Sequence, residues 1–69
     1  MTDEETQEYV VAALPAIGPK AAQDLLNHFG SILDVMRASG EQLQEVPGIG
    51  KKTAQRVKKI IEKKYKKQT

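Results

Sequence analysis

Backbone amides are the groups in this chain best placed to do chemistry, and two short stretches concentrate them. Val46 to Val57 reads VPGIGKKTAQRV, with a glycine on each side of Ile49 and lysines at Lys51 and Lys52. Leu14 to Leu25, LPAIGPKAAQDL, repeats it 32 residues earlier. Pro15 aligns with Pro47, Ile17 with Ile49, Gly18 with Gly50, Lys20 with Lys52, Ala22 with Ala54 and Gln23 with Gln55, so six of twelve positions are identical. In each copy a glycine turn leads into a helical pattern. Glycine takes positive φ readily and has no Cβ to obstruct an approaching group. The helix that follows opens with unpaired N–H groups and the positive end of its dipole. Together they form an anion site that holds phosphate without reading sequence. The expected donors are the amides of Gly48, Gly50, Lys51 and Lys52, with the side chains of Lys52 and Thr53 beside them. The isoleucine in each turn is expected to plug the core and keep the turn rigid. A glycine turn that merely joins two helices would look similar on its own; lysine in register in both copies favours phosphate.

Other chemistry finds little support. With no cysteine and one histidine, His28, neither a disulfide nor a typical zinc site is available. Thr53 has no paired base, and Ser31 and Ser39 read as helix caps. Asp24, Asp34 and Glu45 read as surface charges, not as a metal cluster. His28 reads as a partly exposed helix residue. No catalytic group, metal or cofactor is expected, and the chain is not read as an enzyme.

Charge points the same way as the turns. Met1 to Gly50 holds two basic residues against eight acidic ones, whereas Lys51 to Thr69 holds nine basic residues against Glu62 alone. Such a division suits a basic face that meets a polyanion, and equally a solvated cationic helix end that complements the macrodipole. No apolar run approaches the roughly 20 residues of a membrane span, and the acidic opening MTDEETQEY is no signal peptide. An intracellular protein without membrane association is expected.

The elements that must position these turns are helices. Apolar residues fall at helical spacings and period-two alternation is absent. Thr2 or Asp3 caps a first helix with Tyr9, Val10, Ala13 and Leu14 on its inner side, ended by Pro15. A second runs from near Pro19 to Gly30 with Ala22, Leu25, Leu26 and Phe29 inward. Ser31 with Asp34, then Ser39 with Gln42, open two short helices bearing Ile32, Val35 and Met36, and Leu43 and Val46. The last is expected from about Lys51 to near Lys66, with Ala54, Val57, Ile60, Ile61 and Tyr65 on its buried stripe. The fold class is all-α: five helices, four of them short, as two pseudo-two-fold-related hairpins. Residues 1–69 form one domain, with hairpin 1 at about 8–29, a linking helix at 31–38, hairpin 2 at about 40–65 and a basic tail at 63–69 that frays.

VPGIGKKTAQRV resembles the helix-hairpin-helix motif, LPAIGPKAAQDLLNHFGS resembles its weaker partner, and HFGSILDVMRASGEQLQEVPGIG resembles the bridge between tandem copies. The chain as a whole is similar to the C-terminal domain of the XPF and Hef structure-specific endonucleases, with the C-terminal domain of UvrC a near second. That resemblance implies a domain that binds DNA non-specifically through both hairpins, prefers branched or single-/double-strand junction DNA, dimerises, and delivers DNA to a separate nuclease domain. It assigns DNA contact to Gly48, Ile49, Gly50, Lys52 and Thr53, and, in the other copy, to Ile17, Gly18 and Lys20. Two departures weaken the first copy. Ala16 replaces the first glycine, and Pro19 removes an N–H from the helix start.

Two functions follow. The first is DNA binding, with Lys51, Arg56, Lys59, Lys63 and the terminal lysines adding charge around the turns. The second is a protein-interaction module, a homodimer or a heterodimer with a related domain, suggested by small size and by Tyr9, Val10, Val11 and Tyr65 near the ends. A packaging protein resting on the lysine tail alone is opposed by the ordered glycine turns.

Overall fold

A computed structural model describes residues 1–67; residues 68 and 69 of the expected tail lie outside the described residues. It is all-α, with α1 at Asp3–Ala12, α2 at Gly18–Phe29, α3 at Ile32–Arg37, α4 at Gly40–Leu43 and α5 at Lys51–Glu62. Helix α1 packs on α2, α4 on α5, and α3 against both α1 and α2.

Three helix starts are sealed by hydroxyls. Thr2 Oγ1 accepts from the Glu5 N–H, Ser31 Oγ from Asp34 and Ser39 Oγ from Gln42, at 3.1, 3.0 and 3.1 Å. In α1 and α4 the cap is reciprocal, because the Glu5 and Gln42 side chains accept from the backbone N–H of Thr2 and Ser39. Gly30, at φ 96°, ends α2 in the left-handed conformation that glycine adopts without a Cβ penalty.

The 32-residue repeat extends into the core. Val11 and Leu43, Ile17 and Ile49, Ala22 and Ala54, and Leu25 and Val57 are all buried, and each pair is 32 residues apart. Val46, Val35 and Ala38 complete the buried set, the last two from the linking helix and its end. The turns are closed by matching bonds: Ile17 N–H to the Leu14 carbonyl at 3.1 Å, and Ile49 N–H to the Val46 carbonyl at 3.0 Å. The Lys58 ammonium joins α5 to α3, donating to the Met36 carbonyl at 3.3 Å.

Two expectations about helices are corrected. Helix α1 ends at Ala12, so Ala13 and Leu14 lie in the turn; Val11 takes the core position, while Tyr9 and Val10 are exposed. The repeat register sets this, since Val11 is the mate of Leu43. Helix α5 ends at Glu62, and Lys63 is already extended at ψ 131°. The core has nothing beyond Ile61 for a further turn to pack on, and successive lysines repel one another there. Tyr65 is accordingly 87% exposed, and Ile60, within α5 but off the stripe of Ala54, Val57 and Ile61, is exposed as well.

Leu43→Ala is expected to cost roughly 2–5 kcal/mol, as much as the roughly 3–5 kcal/mol a core of this size supplies. Circular dichroism of that variant should show a broad melt at low temperature, whereas Tyr65→Ala should melt like the native chain.

Candidate nucleic-acid interface

The two helices that follow the glycine turns are built differently from the other three. No side chain caps α2 or α5, and neither has an acidic residue in its first turn. The other three have both a hydroxyl cap and a first-turn carboxylate. Gly50, the N-cap of α5, has φ −90° and ψ 178°, the same extended region as Thr2, Ser31 and Ser39. The backbone is therefore set for a hydroxyl cap, and the residue carrying it has no hydroxyl. The first intrahelical bond is Ala54 N–H to the Gly50 carbonyl, at 2.9 Å, which leaves the amides of Lys51, Lys52 and Thr53 at the uncapped end.

The two glycines of the second turn serve different ends. Gly48 stands at φ 92°, where a side chain is strained. Gly50, at φ −90°, has no such constraint, so the freedom to take positive φ is used in this turn by Gly48 and not by Gly50. A Cβ at Gly50 would meet nothing within 4 Å, so neither conformation nor crowding inside the chain requires glycine there. Between them Ile49 is buried, and Gly48, Gly50, Lys51 and Lys52 are exposed around it, with Thr53 half-buried.

Cationic side chains continue from this turn along α5. Lys52, Arg56, Lys59 and Lys63 are all exposed. Their spacing of four, three and four places them within an arc of about 60°, opposite the stripe of Ala54, Val57 and Ile61, over a length of about 16 Å. Among the described residues Lys51, Lys52 and Arg56 pair with no carboxylate. Lys58 is not part of this stripe: its side chain is mostly buried against α3 and lies 3.7 Å from Glu62.

The first turn keeps the scaffold and loses part of the chemistry. Ile17 is buried and Gly18 lies at φ 69°, but Ala16 is itself held at φ 62°, a left-handed conformation costly for a residue with a Cβ. Pro19 occupies the first turn of α2 without an N–H. Lys20 is exposed but bonded to Asp24, Nζ to Oδ1 at 2.9 Å. Arg56 stands in the second copy where Asp24 stands in the first, a contrast visible in the aligned sequences. His28 pairs with Glu45, Nε2 to Oε1 at 3.2 Å, linking α2 to the segment before the second turn. It thereby has a structural partner.

The chain belongs to the SAM-like helix-hairpin-helix tandem family, whose pattern spans residues 10–63. It is 42% identical over 59 residues to UvrABC system protein C of Acinetobacter baumannii (strain SDF), covering 86% of this chain and 10% of that protein. To UvrABC system protein C of Hahella chejuensis it is 50% identical over 48 residues, covering 70% of this chain and 8% of that protein. Among solved structures, XPF from Aeropyrum pernix superposes with a TM-score of 0.86 at 38% identity, covering 91% of this chain and 32% of that one. The chain thus spans about a tenth of the length of the curated relatives it matches.

Gly48→Ala is expected to cost about 1–2 kcal/mol through backbone strain alone, because its Cβ would touch nothing. Gly48→Asn, which tolerates the left-handed region, should lose visibly less in a urea melt. Equal losses for the two would show that the side chain, not the backbone angle, sets the requirement.

Proposed function

We propose that this chain is a sequence-independent DNA-binding domain that takes backbone phosphate at the turn of residues 47–50 and the start of α5. The observation that carries the reading is Gly50. An N-cap with the backbone geometry of a serine cap, no hydroxyl, no first-turn carboxylate and open space where its Cβ would stand leaves helix-end amides free for an acceptor from outside. Gly48, Ile49, Gly50, Lys51, Lys52, Thr53 and Arg56 form the main contact, with Gly18 and Lys20 secondary. The role is binding, with catalysis in a part of the parent protein outside this chain. By the resemblance to XPF, Hef and UvrC, the parent is a DNA repair nuclease acting inside the cell, and the preferred DNA is branched or a single-/double-strand junction.

A second reading, dimerisation with a like domain, is supported by Tyr9 and Val10, which α1 leaves 68% and 45% exposed. The two readings are compatible; sedimentation that shows a monomer at every concentration removes the second.

Non-specific binding of this kind has a Kd of about 10⁻⁴–10⁻⁶ M at physiological salt and weakens steeply as salt rises. The sharper test sets stability against binding. Gly50→Ser supplies the missing hydroxyl, which would accept from the Thr53 N–H as Ser39 does from Gln42. It should stabilise the fold by a few tenths of a kcal/mol, on the order of 1–3 °C in Tm. Because it occupies a donor that phosphate needs, it should also weaken duplex binding about five- to tenfold. A variant that melts higher and binds DNA as well as the native chain would remove this site from the reading.

A further inference from the structure

The two turns have the same closing bond and the same isoleucine plug; beside the backbone difference between Gly18 and Gly50, they differ in charge at two aligned positions. Pro19 stands against Lys51, and Asp24 against Arg56. Over the first two turns of the following helix, the second copy carries Lys51, Lys52 and Arg56 with no acid. The first carries Lys20 and Asp24, with no net charge.

Asp24 is placed to act on a ligand. Its carboxylate accepts from the Lys20 ammonium at 2.9 Å. It also lines the cleft between the two hairpins, with Asn27 and His28 on the same wall and Val46 and Pro47, the residue before Gly48, on the other. Among the described residues it is the only carboxylate lining that cleft. An exposed i,i+4 pair adds little to stability, and Lys20 is 84% exposed, so the pair is not needed to hold the fold. A phosphate at the first turn would have to take Lys20 from a carboxylate and then lie beside that carboxylate.

We infer that Asp24 determines how the domain engages DNA: it holds the first hairpin to a weak, secondary role and leaves the second as the one strong phosphate contact. This rests on the phosphate reading of the second turn. The domain is thereby one-sided, although its isoleucine-plugged turn occurs twice.

The test is the salt dependence of binding to a short duplex, read by fluorescence anisotropy, with circular dichroism showing that each variant folds. Asp24→Asn should steepen the slope of log K against log salt by about 1, the increment of one added phosphate contact. Asp24→Arg, which copies the second hairpin, should steepen it by about 1–2. Adding Lys20→Ala to Asp24→Asn should return the slope to that of the native chain. Asp34→Asn, which removes the same charge outside the cleft, should leave the slope unchanged. Lys52→Ala should lower it by about 1. If Lys52→Ala lowers the slope and neither Asp24 variant raises it, the inference is wrong and the phosphate reading stands. If Asp34→Asn raises it as much as Asp24→Asn, bulk charge and not the cleft is responsible, which also overturns the inference. If Lys52→Ala has no effect, the phosphate reading itself fails and the inference falls with it.

Discussion

Burying one isoleucine in the middle of a tight turn constrains everything around it. With Ile17 and Ile49 in the core and their N–H groups bonded to the carbonyls three residues back, each turn is fixed in both position and direction. The residues flanking the isoleucine have only the outside left to face, and the next helix must start there. Its first amides therefore point away from the core, where no buried acceptor reaches them. An apolar anchor thus makes a polar site, because packing the isoleucine decides where the unpaired N–H groups are presented. The same plug occurs twice, 32 residues apart, and the core pairs Val11 with Leu43, Ala22 with Ala54 and Leu25 with Val57 place the two turns in equivalent settings.

A shared scaffold does not impose shared chemistry. Backbone conformation separates the copies first: Gly50 is extended at φ −90°, whereas Gly18 is left-handed at φ 69° and Ala16 is strained beside it. Charge separates them further, through Lys51 against Pro19 and Arg56 against Asp24. Each such contact is individually weak at an exposed surface, where ion pairs are worth roughly 0–1 kcal/mol. Their effect lies in number and alignment. Lys52, Arg56 and Lys59 fall on one line along α5 and Lys63 follows at its C-cap, so a polyanion lying there would meet four cations and release counterions at each.

Much of this was legible in the sequence because it depends on local rules. Helix number, the serine caps, Gly30 as a terminator, and the plug isoleucines follow from spacing, capping chemistry and the repeat. The misses are tertiary. Which of Tyr9, Val10 and Val11 faces inward depends on where α2 lies, and only the repeat register, carried three residues upstream of the repeated windows to Leu43, singles out Val11. The length of α5 depends on how far the core extends, and four lysines after Glu62 could be read as continuing the helix or as ending it. The sequence offers two reasons for each glycine, freedom to take positive φ and the lack of a Cβ, and only the backbone shows that the first applies to Gly48 and not to Gly50. At Gly50 the chain has no internal use for a glycine.

That last point carries a cost which the fold has to bear. Relative to a good cap, a glycine forgoes a few tenths of a kcal/mol and an aliphatic residue about 1 kcal/mol; this chain starts α5 from Gly50 and α2 from Ile17, against a total stability of roughly 3–5 kcal/mol. Three hydroxyl caps elsewhere show that suitable caps fit this scaffold. In a domain so small, leaving amides unpaired at both hairpins is a substantial fraction of the free energy of folding. A bound phosphate that fills those donors recovers part of it, and any ligand that binds only the folded chain adds to stability in proportion to its occupancy. On the phosphate reading proposed above, binding and folding are coupled through the same few N–H groups. The second hairpin, with its open glycine and three uncompensated cations, is where that coupling is strongest.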